Sequence, residues 1–191
     1  MFVLASVVLL LAYAGIVVGV TTDPGPDRRI ALRTGAVTGL FTGAMWIINL
    51  AIETFATLSW PANLLATAPL LLGAFVPWGV TAGYGAWRTG SISLGILVAV
   101  WAAMICVLLT ITFGFLLTYT SMPTLQHDLV SDPDFLRSGW DDLSAFAIAN
   151  TFGSGFSHLL VAPIVGTVVG AVGSFASLLL GGGWPWRYLR S

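Results

Sequence analysis

The chain has no lysine, a single cysteine, a single glutamate and very little charge of either sign. Charged residues make up 8 % of its 191 positions and hydrophobic residues 57 %. A soluble domain carries about 25 % charged residues, so this chain cannot coat a water-facing surface. Cys106 stands alone inside an apolar run, which excludes an internal disulfide and any two-cysteine metal motif. A formal charge of −1 leaves no basic surface for nucleic acid. There is no glycine loop ending in lysine to cradle phosphate and no His-Glu-x-x-His. No cofactor and no metal are therefore expected, and the expected activity is non-enzymatic.

What is present is apolar length. Mean hydropathy is +0.94. A membrane-crossing helix needs about 20 apolar residues. Five runs qualify: 1–20, 30–58, 64–87, 92–120 and a long last one over 144–180. Between them lie Asp23-Pro24-Gly25-Pro26-Asp27, Ser59-Trp60-Pro61-Ala62-Asn63, Arg88-Thr89-Gly90-Ser91 and an acidic stretch over 121–143. The first run could be read as a signal peptide, because Ala12-Tyr13-Ala14 fits a cleavage site. It lacks a positive leading region and runs on past that site, so a retained span is the better reading.

The arginines orient the chain. Arg28, Arg29 and Arg33 follow the first run, Arg88 follows the third, and Arg187 and Arg190 follow the fifth. Only Arg137 falls on the other side, among Asp128, Asp132, Asp134, Asp141 and Asp142. The positive-inside rule then puts the N-terminus outside and the C-terminus in the cytoplasm. Trp87, Trp184, Trp186 and Tyr188 would form an inner aromatic belt, and Trp60, Tyr119 and Trp140 an outer one.

The last run is too long for one crossing. As a single helix it would measure roughly 55 Å against a hydrocarbon core of about 30 Å. Residues 156–180 suffice to cross. Asp132-Pro133 reads as a helix start. Residues 133–150 are therefore expected as one or two helices on the outer surface, within an outer segment 121–155. The architecture expected is one all-α domain of five spanning helices, with an outer interfacial helix before the last span.

Two rows of small residues recur at four-residue spacing. Gly35, Gly39 and Gly43 lie in the second span, and Ala162, Gly166, Gly170 and Ser174 in the last. Such rows let helix backbones approach closely inside a membrane. Their depths match, so these two spans are expected to pack against each other. Gly15/Gly19 and Gly79/Gly83 are weaker instances. Pro69, Pro77 and Pro163 each remove a backbone donor and predict a kink.

One polar group of residues stands inside the apolar runs. Glu53 is the only acid well within a span, and Asn49 precedes it by one turn on the same face. In the last run Asn150, Ser154 and His158 recur every four residues at similar depth. Read functionally, these five are a proton- or ion-handling site opening outward. Read structurally, Glu53, Asn49 and His158 are hydrogen-bonded glue between helices, or Glu53 simply reaches the outer interface. Ser154 and His158 on one helix make a poor serine–histidine dyad. His127, Asp128, Asp132 and Asp134 match no calcium loop, and solvated, helix-capping acids explain them better.

Three functions follow from this reading. The first is a non-enzymatic accessory or assembly subunit, or a homo-oligomer, joined through the small-residue faces. The second is a small proton- or ion-coupled transporter using Glu53, Asn49 and His158. The third is a membrane enzyme acting at the outer face. The expected partners are the lipid bilayer and either other membrane subunits or further copies of the chain. The absence of lysine points to a GC-rich genome and a prokaryotic cell membrane.

Overall fold

A computed structural model describes residues 2–22, 24–56 and 58–180. The tail with Arg187, Arg190, Trp184, Trp186 and Tyr188 lies outside the described residues. Within them the chain is all-helical: α1 (Phe2–Thr21), α2 (Pro26–Phe55), α3 (Trp60–Thr89), α4 (Ile92–Thr120), α5 (Met122–Leu129), α6 (Pro133–Ser138) and α7 (Leu143–Leu180). Among the described residues four helices are long and apolar enough to cross a membrane, namely α2, α3, α4 and α7. Large apolar side chains such as Phe41, Leu72, Val80, Val168 and Leu179 stand exposed on their outer faces. That is the surface of a membrane protein, since lipid accepts what water rejects.

The ends of the helices follow local chemistry. Proline occupies the first turn of α2, α3, α5 and α6, where its missing N–H costs nothing. Ser91 caps α4 by accepting from the Leu94 N–H at 3.4 Å. α3 stops at Gly90, whose φ of +68° is open to glycine and strained for other residues. Asp132 caps α6 by accepting from Asp134 N–H at 2.7 Å, and Asp142 caps α7 by accepting from Ser144 N–H at 2.8 Å. Asp134 pairs with Arg137 at 2.8 Å. These acids of the outer stretch thus serve helix ends and a surface ion pair.

α4 is the axis of the bundle. It is apolar on every side, and Val98, Ala99, Ala102, Ala103 and Met104 are all but fully buried. α2 and α7 pack on it from two directions, and α3 closes against all three. This arrangement corrects the expected pairing of the small-residue rows. Gly35 and Gly39 face α4: a Cβ on either would stand 2.6 Å from the carbonyl oxygen of Val98 or Ala102. Gly43 faces Leu109 and Cys106 of the same helix. Gly166 and Gly170 also face α4, at Ala99, Ala103 and Ile96. The two rows pack on opposite flanks of one helix, which holds α2 and α7 apart. Each row does mark a close helix contact, but the partner is a third helix apolar enough to fit between.

The close contact of α7 with α3 uses the weaker motif. Gly79 and Gly83 meet Gly173 and Ser177, backbone against backbone, and Ser177 Oγ donates to the Gly83 carbonyl at 2.8 Å. Ser174 of the expected row is fully buried and donates to the Ala82 carbonyl at 3.4 Å. Ala162 packs beside the cluster of Ala99, Ala102 and Ala103.

The helix expected at the outer surface also differs in extent. α6 starts at Pro133 as expected but ends at Ser138. Residues 144–155 are the opening turns of α7, which is unbroken over 38 residues, about 57 Å. Gly153 and Gly155 do not break it, because a helical glycine costs only about 1 kcal/mol, and Gly155 seats Ile111 of α4. α5 packs beside these turns, with Gln126 Nε2 donating to Ser144 Oγ at 2.7 Å.

α3 continues through Pro69 and Pro77, and α7 through Pro163. At Pro163 the lost donor has a visible substitute. A proline at 163 leaves the Leu159 carbonyl, four residues earlier, without its helical partner. Tyr13 of α1 donates its hydroxyl to that carbonyl at 2.6 Å, while its ring joins a buried cluster with Leu32, Trp101 and Met104. α1 is thus docked by a carbonyl that a proline exposed. Tyr13→Phe is expected to destabilise the protein by about 0.6–1.7 kcal/mol, the range for membrane hydrogen bonds. In a Pro163→Ala background the restored N–H satisfies Leu159, and the same change should cost nearly nothing. A double-mutant cycle of detergent melting curves reads the coupling; additive effects would show that the bond does not hold α1.

Candidate functional site

The end of the bundle remote from Arg28, Arg29, Arg33 and Arg88 contains a cavity of about 380 Å³. α2 approaches it with Trp46, Leu50 and Glu53, α4 with Thr110 and Gly114, and α7 with Asn150, Ser154 and His158. α5 adds Leu125. The cavity exists because α4 separates α2 from α7. Above their contacts with it the two outer helices leave a cleft, with α4 as its floor.

Four of the five polar residues named from sequence line this one space: Glu53, Asn150, Ser154 and His158. They come from α2 and α7, about a hundred positions apart. Asn49 does not line it. It is 2 % exposed and sits behind Glu53, donating from Nδ2 to Glu53 Oε1 at 3.0 Å. Its Oδ1 is buried without a partner. The bond therefore runs along α2 and not across helices, so it does not act as glue between them. Glu53 itself stands two residues before the end of α2, exposed to the cavity.

His158 has a defined tautomer. Its Nδ1 lies 2.7 Å from the Ser154 carbonyl oxygen, which can only accept, so Nδ1 carries the hydrogen. In the neutral ring Nε2 then keeps its lone pair. The same contact removes Nδ1 as a base for the Ser154 hydroxyl, 3.4 Å away. The pair is unsuited to nucleophilic catalysis but leaves one basic nitrogen available.

A second, smaller cavity of about 190 Å³ adjoins the first toward the middle of the bundle. Trp46, Thr110 and His158 border both. The lower space is apolar, walled by Phe75 and Trp78 of α3, Cys106 of α4, and Val161 and Val165 of α7. Trp46 and His158 meet edge to face across the boundary, ring centroids 6.2 Å apart. Trp78 is fixed by donating Nε1–H to Thr42 Oγ1 at 3.0 Å, and Thr42 donates to the Thr38 carbonyl at 3.0 Å. Its ring cannot swing out of the wall without breaking that chain.

Sequence reasoning missed Trp46 and the lower chamber. Trp46 precedes Glu53 by seven residues, two helical turns, and so shares its face. That signal was legible. Thr110 of α4 lies at the depth of the polar group and was legible too, but the contribution of α3 was not, because it depends on which face of an uncharged helix stretch turns inward. Among the described residues no group of three or more His, Cys, Asp or Glu is gathered to hold a metal ion.

Comparison with protein-family models, with curated proteins and with solved structures finds no match for this chain.

Proposed function

We propose that the chain is a small proton- or ion-coupled membrane carrier working through Glu53, with Asn49 and His158 as its partners. The observation that carries this reading is the shared cavity. One carboxylate and one imidazole with a free basic nitrogen, from helices distant in sequence, line a single open space. Ionisable groups inside a membrane domain are costly and mark pathways more often than packing.

The accessory-subunit reading rests on the small-residue faces. Gly35, Gly39, Gly43, Gly166 and Gly170 are used against α4 within one chain, so they offer no free face to a partner. The Ser154–His158 pair does not support the enzyme reading, because His158 Nδ1 is turned to the Ser154 carbonyl and not to its hydroxyl.

In this proposal α1 is a fifth span, docked through Tyr13, and the domain has its N-terminus outside. The arginine-rich end is cytoplasmic, the cavity faces outward, and α5 and α6 lie at the outer interface. The address is a prokaryotic cell membrane.

The test is proton flux into liposomes carrying the purified protein and a pH-sensitive dye. Glu53→Gln keeps the shape and removes the carboxylate. It should abolish flux to the level of empty liposomes while leaving the detergent melting temperature unchanged. Equal flux in variant and parent would overturn the carrier reading.

A further inference from the structure

We infer that the paired cavities bind an amphiphilic organic ammonium ion, with its charged head in the upper chamber and its apolar body in the lower one. This rests on the reading of the cavity as a carrier site and names the class of solute it would take.

The charge of the site selects the head. The chain has no lysine, and among the described residues no arginine lines either chamber. The upper one is lined by one carboxylate and otherwise by neutral polar groups, among them Asn150, Ser154 and several threonines. Glu53 is the single acid, and Asn49 occupies only its Oε1, leaving Oε2 open. His158 in its fixed tautomer presents the Nε2 lone pair. The Thr110 hydroxyl donates to the Cys106 carbonyl at 2.9 Å, so toward a ligand it can only accept. An anion would meet a carboxylate with no cation to offset it. An ammonium group finds acceptors in several directions, which suits its three N–H donors. A bare divalent metal ion is less well served, since one carboxylate and one imidazole are two side-chain ligands where such ions take four or more.

The lower chamber selects the body. Phe75, Trp78 and Val165 wall it with almost no polar surface, and its 190 Å³ suits a single aromatic ring or a short branched chain. Trp46 stands where the two spaces meet, so a cation at the boundary lies beside an indole, two helical turns along α2 from the carboxylate. Indole is the ring most attractive to cations. Polar head above, aromatic neck and apolar pocket below follow the order of groups in such a molecule.

The test uses three molecules of one shape: 2-phenylethylammonium, 2-phenylethanol and phenylacetate. Each is titrated calorimetrically into the full-length protein in phosphatidylcholine nanodiscs, with empty nanodiscs as the blank. The ammonium ion should bind saturably, one per chain, and about tenfold or more tighter than the neutral and anionic isosteres, as expected for a charge-assisted bond. Glu53→Gln should remove that preference. Val161→Phe, which adds a ring at a half-exposed wall of the lower chamber, should weaken the ammonium ion severalfold.

Equal affinity for all three molecules, or no binding above the blank, would overturn the inference. An unchanged preference in Glu53→Gln would do the same. If that variant does not fold, the comparison of the three molecules on the unaltered protein decides alone. Glu53-dependent proton flux without ammonium binding sinks the inference and leaves the carrier reading intact. Glu53-dependent binding without flux sinks the carrier reading and leaves the binding site.

Discussion

Gly173→Leu is expected to yield no folded, monodisperse protein in detergent. Gly173 of α7 lies directly on the backbone of Gly79 in α3, and a Cβ at 173 would overlap the Gly79 peptide. The obstacle is backbone on both sides, so no side chain can rotate out of the way. Relief requires the two helices to separate along their contact. That separation would pull Ser177 from the Gly83 carbonyl and Ser174 from the Ala82 carbonyl. Gly95 of α4 would lose its fit as well, because Ser174 and Ala82 both press on it. Overpacking by a few methylenes commonly costs about 1–3 kcal/mol, and here one wedge disturbs three helices at once. Gly173→Ala should already lower the melting temperature. The control is Gly153→Ala, in the same helix with open space around it. There the gain in helix propensity should leave stability unchanged or raise it by up to about 1 kcal/mol. Size-exclusion profiles and melting curves of the three variants check this. A Gly173→Leu protein that elutes and melts like its parent would show that α3 and α7 do not cross at this point.

Asn49→Leu is expected to raise stability and lower transport. The Asn49 amide is buried in the core of the bundle, and its Oδ1 has no partner. A buried unsatisfied acceptor costs about 1–3 kcal/mol. Leucine keeps the branch at Cγ and removes that acceptor, so the melting temperature should rise. The same change frees Glu53 Oε1 from its donor at 3.0 Å and lets the carboxylate leave its position over the cavity. Proton flux in liposomes should fall several-fold. Groups that reduce stability are retained where an activity needs them, and opposite movement of the two readouts is the mark of such a group. Loss of stability with unchanged flux would make Asn49 a structural residue with no part in the site.

Much of the site is legible in the amino-acid sequence. The spacing of Asn49 to Glu53, and of Asn150, Ser154 and His158, puts each set on one helical face at similar depth. Periodicity along a single helix is all that this requires. Two further facts are not legible there. Asn49 turns inward while its neighbour Glu53 faces the cavity, a difference of one turn that depends on how α2 rotates against α3 and α4. The lower chamber draws Phe75 and Trp78 from a helix stretch with no charged residue to mark its inner face.

The glycine rows show the same boundary. Four-residue spacing tells which faces come close to another backbone, because only a small residue permits that approach. It does not tell which backbone. Gly39 and Gly170 match in depth and in spacing, yet each meets α4.

The sequence by itself determined that the chain is a helical membrane protein, roughly where α1 to α4 run, and which loops carry the arginines. These depend on apolar length, loop breakers and charge, all local quantities. Only the tertiary structure decided that α4 is the axis, that α7 is one continuous helix, that Tyr13 docks on the carbonyl left free by Pro163, and that two cavities meet at Trp46 and His158. The reason is physical. In lipid, an apolar helix face gains nothing by preferring protein over hydrocarbon, so its partner is chosen by shape and by single hydrogen bonds between distant segments.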